Sequence, residues 1–132
     1  MAEETKYCKI YETDIPLYRG KFIIILTNDL VAVKEHCPDF EDPEIYGYTI
    51  AMNWKGLQGF CVVFNFHNPH RPITHGVIVH EAIHTTSMIL NERGVSADHD
   101  NDEPFAYLCD WIIDRIYAFI AKNDFKPHIF AD

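Results

Sequence analysis

Apolar and polar positions along the chain change their period once. In the first half, apolar residues gather in short β-rich runs bounded by turn residues; in the second they recur every three to four positions. Residues 6–11 (Lys-Tyr-Cys-Lys-Ile-Tyr) make a first candidate strand. Lys21 to Thr27 carries Phe-Ile-Ile-Ile-Leu, a run suited to a buried strand. Thr27 or Asn28 is then placed to cap a short helix running through Glu35 and halted by Pro38. Ile45 to Trp54 and Gly59 to His67 are aromatic and β-branched runs around Lys55-Gly56-Leu57-Gln58, which reads as a hairpin. Asn68-Pro69-His70-Arg71-Pro72 breaks the sheet.

The helical half has clear ends. Thr74 is a candidate N-cap for a helix to Arg93, with Gly94 placed to end it. A polar loop, Val95 to Asp102, leads to a second helix from Glu103 to Lys122 with Pro104 in its first turn. Phe105, Leu108, Ile112, Ile116 and Phe119 form its apolar stripe, and Glu103, Ala106, Tyr107, Asp110 and Asp114 the opposite one. The expected fold is α+β: a small, mostly antiparallel sheet packed on two long helices. A chain of 132 residues holds one such domain, spanning 1–132, and contains no repeats or linkers.

Charge and composition narrow the function. A net charge of −9 argues against a nucleic-acid partner met through a broad basic surface and against docking on anionic membrane. The opening Met-Ala-Glu-Glu-Thr-Lys is not a signal peptide, and the longest apolar runs, such as Phe22 to Leu26, fall far short of a membrane span. Cys8, Cys37, Cys61 and Cys109 form no CxxC pair, so free thiols in a reducing, cytoplasmic compartment are expected in preference to disulfides or soft-metal ligands. Cys61 and Cys109 stand in apolar segments and read as core residues.

The candidate chemistry lies in His80-Glu81-Ala82-Ile83-His84. At about 100° per helical residue the two imidazoles are about 40° apart, placed to grip one metal ion, with Glu81 beside them as a general base. Val77, Ile78, Val79, Ala82, Ile83, Met88, Ile89 and Leu90 make this helix apolar nearly all round, so it is expected to be buried between layers. Two imidazoles and a carboxylate buried there call for a compensating cation. A hydrolytic zinc site needs a third protein ligand and an open position for water. Glu103 is the first candidate, Asp102 and His99 the alternatives, and Asp110 could fix a histidine tautomer through the free ring N–H. The competing readings are an acidic helix start favoured by the macrodipole, and a buried helix with two hydrogen-bonded histidines.

His80-Glu81-x-x-His84 followed by Asn101-Asp102-Glu103-Pro104-Phe105-Ala106-Tyr107 resembles the gluzincin arrangement of zincin metallopeptidases, in which HExxH on one helix is completed by a Glu on the next. It is also similar to compact, often phage- or prophage-encoded zincin-like domains. The resemblance covers most of residues 20–122 and implies one Zn2+ per chain held by His80, His84 and Glu103, with Glu81 deprotonating the attacking water. In larger gluzincins a carboxylate one turn after the ligand Glu supports the site; that position is Tyr107 here, with Asp110 as its candidate substitute. The downstream domain that supplies transition-state stabilisers is absent from the pattern, so that role is unassigned.

The implied activity is hydrolysis of a peptide or protein substrate, the extended chain pairing with a sheet edge, for which the Gly59–His67 strand is the candidate. The rivals are a non-catalytic zincin-like module whose zinc is structural and whose cleft binds a protein, and a metal-free adaptor. Of the other histidines, His75 falls on the far side of the helix, suited to capping or solvent, and His67, His70 and His128 fall in loops or the tail. Asp98-x-Asp100-x-Asp102 opens like a calcium loop but has Glu103 where Gly is needed and Cys109 where Glu is needed. No phosphate loop, nucleophile elbow or Cys-His pair appears.

Overall fold

The computed structural model describes residues 5–38, 47–66, 73–96 and 98–123. In chain order they form β1 (Cys8–Asp14), β2 (Lys21–Thr27), α1 (Leu30–His36), β3 (Gly47–Trp54), β4 (Leu57–Asn65), α2 (His75–Glu92) and α3 (Glu103–Lys122). The strands make one sheet in the order β1-β2-β4-β3. The β1–β2 and β3–β4 pairs are antiparallel, and β2 and β4 run parallel at the centre, with Phe22 opposite Phe60 and Leu26 opposite Phe64. The α+β expectation holds, with two of the three strand pairings antiparallel.

Both faces of the sheet are covered. Phe22, Ile24, Leu26, Phe60, Val62 and Phe64 point to one side and pack under α2 and α3, against Ile78, Ile89, Ile112 and Ile116. Ile23, Ile25, Cys61 and Val63 alternate to the other side, where α1 supplies Val33. This double burial explains the unbroken apolar runs of β2 and β4: every second residue of each still meets a core. It also corrects the expected substrate edge. The described part of that run, Gly59 to Asn65, belongs to β4, which lies inside the sheet, and among the described residues the outer strands are β1 and β3.

Local chemistry sets the helix ends. Thr74 caps α2 by accepting from Val77 N–H at 3.1 Å. At the other end Gly94 has φ +70°, its N–H reaches Asn91 O, and Val95 N–H reaches Leu90 O, a Schellman closure. The short helix α1 is capped by Asp29 rather than Thr27 or Asn28. Those two side chains instead tie down the chain ahead of β1, Asn28 to Tyr7 and Thr5, and Thr27 to Tyr7 O. The β3–β4 turn is tighter than expected. Only Lys55 and Gly56, both at positive φ, lie between the strands, as a two-residue hairpin turn requires.

The helix α3 runs back alongside α2, its Tyr117 meeting His75 near the start of α2 and its Phe105 beside Met88 near the end. The expected burial of α2 on all sides is not what forms. Its inner face holds Ile78, Glu81, Ala82, Thr85, Thr86, Ile89 and Leu90, while His80, Ile83 and His84 are exposed. A four-stranded sheet offers α2 only one flank beside α3, so one side of the helix stays in water despite its apolar content. No helix among the described residues is long and apolar enough to cross a membrane.

Candidate metal centre

Four residues apart on α2, His80 and His84 turn their rings toward each other, with centroids 4.6 Å apart at 76°. Their Nε2 atoms are 3.1 Å apart, so one donates and the other accepts according to tautomer. Two nitrogens bound to one tetrahedral zinc are separated by about 3.4 Å, so the pair already stands near the spacing of two adjacent ligands. Both imidazoles are in water, His80 with 62% of its side chain accessible. Solvated imidazoles need no buried cation, so the expectation that burial calls for a compensating metal does not apply to them.

Glu81 is placed differently. It is 5% exposed and lies between α2 and the outer strand β3. Thr49 Oγ1 donates to its Oε1 at 2.8 Å, and its Oε2 is 3.9 Å from His80 Nε2. Close approach of β3 depends on Gly47. A Cβ there would stand 2.9 Å from Glu81 Cγ and 3.3 Å from Oε2, too close without a shift. The carboxylate is therefore held by one oxygen and walled by backbone on one side, with its second oxygen toward the histidine pair. Thr49 and Gly47 were not singled out in the sequence, because they meet Glu81 from across 32 and 34 positions. Their only local signal is that a Gly and a Thr share one face of an otherwise bulky strand.

The remaining candidates lie elsewhere. Glu103 is exposed at the start of α3 and lines an apolar groove of about 590 Å³ with Pro16, Leu17, Tyr18, Tyr107 and Trp111. Tyr107 is 72% exposed on that groove. Asp110 and Asp114 face solvent, as does His99, and Asp110 makes no hydrogen bond to either imidazole among the described residues. Asp102 is the N-cap of α3 but caps through its carbonyl, which accepts from Ala106 N–H, not through its side chain. Among the described residues no three His, Cys, Asp or Glu gather as a group able to hold a metal ion. The structure thus brings His80, Glu81 and His84 together and does not bring Glu103 to them.

His75 is not a cap; it stacks on Tyr117 and hydrogen-bonds its hydroxyl, while burial pushes the Tyr117 phenol above its ordinary value. The acidic loop is tied internally, Asp98 accepting from Asp100 N–H and Asn101 donating to Ser96 O. His67, His70 and His128 lie outside the described residues.

For a zinc ion, the two-histidine half of the set fits: paired nitrogens, correct spacing and a tethered carboxylate beside them. Compared with models of known families, with curated proteins and with solved structures, the chain matches none.

Proposed function

We propose that this chain is a zinc-dependent metallohydrolase, most readily a peptidase, related in design to the gluzincins that its motif resembles. The observation that carries the reading is the convergence of His80 and His84 Nε2 at 3.1 Å beside the tethered carboxylate of Glu81. Zinc held there would supply a Lewis acid and a water of lowered pKa. His80 and His84 would hold it. Glu81, its Oε1 fixed by Thr49, would take the water's proton at Oε2 and return it to the leaving amine. Among the described residues β3 is an outer strand, a place where an extended peptide would pair, and its Gly47 end lies against Glu81.

Glu103 as third ligand, with Asp110 and Tyr107 supporting it, is carried by the motif alone, since the structure does not bring Glu103 to the histidine pair. Glu103→Ala decides that part. The four cysteines are free thiols, in keeping with a reducing, cytoplasmic setting.

The test is zinc content per chain after loading and washing, followed by turnover on a fluorogenic peptide library. One zinc is expected in the parent, little in His80→Ala or His84→Ala, and weakened retention in Glu103→Ala. Glu81→Gln should keep the metal and lose about 10²–10⁴-fold in rate, the usual reach of a general base. A parent chain that holds no zinc would overturn the reading. A chain that holds zinc but turns over no peptide, with Glu81→Gln indistinguishable from it, would instead make the site structural and β3 a protein-binding edge.

A further inference from the structure

On the opposite face of the sheet from the histidine pair, three sulfur atoms from three elements meet under α1. Cys37 forms the C-cap of α1, its N–H bonded to Val33 O at 2.8 Å, and is 1% exposed. Its Sγ is 3.3 Å from Met52 Sδ, to which the thiol donates. Cys61, fully buried on β4, presents its thiol to that of Cys37. The strand register accounts for the meeting. Cys61 is paired with Ile50 on β3, so Met52, two residues on, is its diagonal neighbour on the same face. Ile23, Ile25, Val33, Trp54 and Val63 surround the three sulfurs, and Cys8 packs against the same cluster.

We infer that Cys37, Cys61 and Met52 form a binding site for a soft monovalent cation, Cu(I). Thiolate and thioether donors select Cu(I) over hard cations, which need oxygen ligands, and a thioether is not among the usual ligands of zinc. The apolar wall keeps water from the ion. The set includes a thioether, so it is not among the His, Cys, Asp and Glu groupings absent from the described residues. On binding, each thiol that coordinates loses its proton to solvent, and copper enters and stays as Cu(I), so no electron moves. The inference stands apart from the proposed hydrolase site, which lies across the sheet.

The experiment is anaerobic titration of the fully reduced chain with Cu(I) supplied as its bicinchoninate complex, read by bleaching of that complex and by X-ray absorption of the bound copper. The expected result is one Cu(I) withdrawn per chain with an all-sulfur first shell, unchanged in the His80→Ala/His84→Ala double variant. Met52→Leu, which keeps the apolar volume, and Cys37→Ala should each weaken binding by at least about tenfold, a floor set by what loss of even an outer partner does. Should Cys37→Ala fail to fold, Met52→Leu decides alone. Failure to withdraw copper, a nitrogen-containing shell, or equal binding by the variants would overturn the inference. So would a Cys37–Cys61 disulfide formed in air by a chain that retains no copper, which would make the pair a redox couple.

Discussion

Glu81 is the residue on which sequence and structure depend most unequally. Its place in HExxH was legible because a helix fixes neighbours four apart, and the two imidazoles meet as that geometry requires. Its environment was not, since burial depends on β3, brought in from 32 residues away by Thr49. The sequence assigned burial to the histidines as well, and for them it failed: an apolar helix was read as covered all round when its outer face lies in water. Thr49→Val keeps the shape of the side chain and removes the donor to Oε1, leaving a buried carboxylate oxygen without its partner. Urea denaturation should register a loss of about 1–3 kcal/mol, the range for an orphaned buried polar group. An unchanged midpoint would mean that the bond does not hold Glu81. Gly47→Ala tests the same carboxylate from the other side. The added Cβ at 2.9 Å from Cγ must displace Glu81, so in the proposed enzyme it should lower turnover while leaving zinc bound.

At the scale of elements, what could be read was what local chemistry decides. Both long helices begin where the sequence places them, and β2 has the expected bounds. Caps and stripes are encoded within a few residues of where they act. Gly94 shows this directly: at φ +70° any other residue puts its Cβ against the carbonyl, so Gly94→Ala should lower stability by about 1–2 kcal/mol. Thermal unfolding would show it as a drop of several degrees, and no drop would mean the closure of α2 adds nothing. Strand neighbours were harder, because alternation tells which face a residue takes and not which strand lies beside it. Even so, Phe60 to Phe64 is apolar at consecutive positions, the mark of a strand covered on both faces. That run already argued against β4 as an edge. The distance from α2 to Glu103 was likewise beyond local rules, since it depends on how α3 sets down beside the β1–β2 loop after a polar connection.

Across the whole molecule, the sheet separates two chemistries, solvated imidazoles beside a buried carboxylate on the α2 side, and sulfur in an apolar layer on the α1 side. Stability of this sheet also has a pH dependence that can be traced to one contact spanning it. Glu12, on the outer strand β1, accepts from Lys55 Nζ at 2.9 Å and from Trp54 Nε1 at 2.6 Å, at the end of the opposite outer strand. Trp54 reaches across because Gly59 has no Cβ; one there would stand 2.9 Å from Trp54 Cβ. The Lys55 hydrogen bond first, then that of Trp54, holds the Glu12 carboxyl below its ordinary value of 4.5. A depressed carboxyl stabilises the fold above its unfolded pKa, and that contribution disappears as pH falls through the folded value. Urea midpoints measured downward from neutrality should therefore begin to fall near pH 4.5, and Glu12→Gln should flatten that part of the curve while lowering the plateau. Because Glu12 lies at the surface, added salt should shrink the Lys55 part of the difference and leave the Trp54 part. A parent and a Glu12→Gln variant with parallel acid limbs would show that the two outer strands are not held together by this carboxylate.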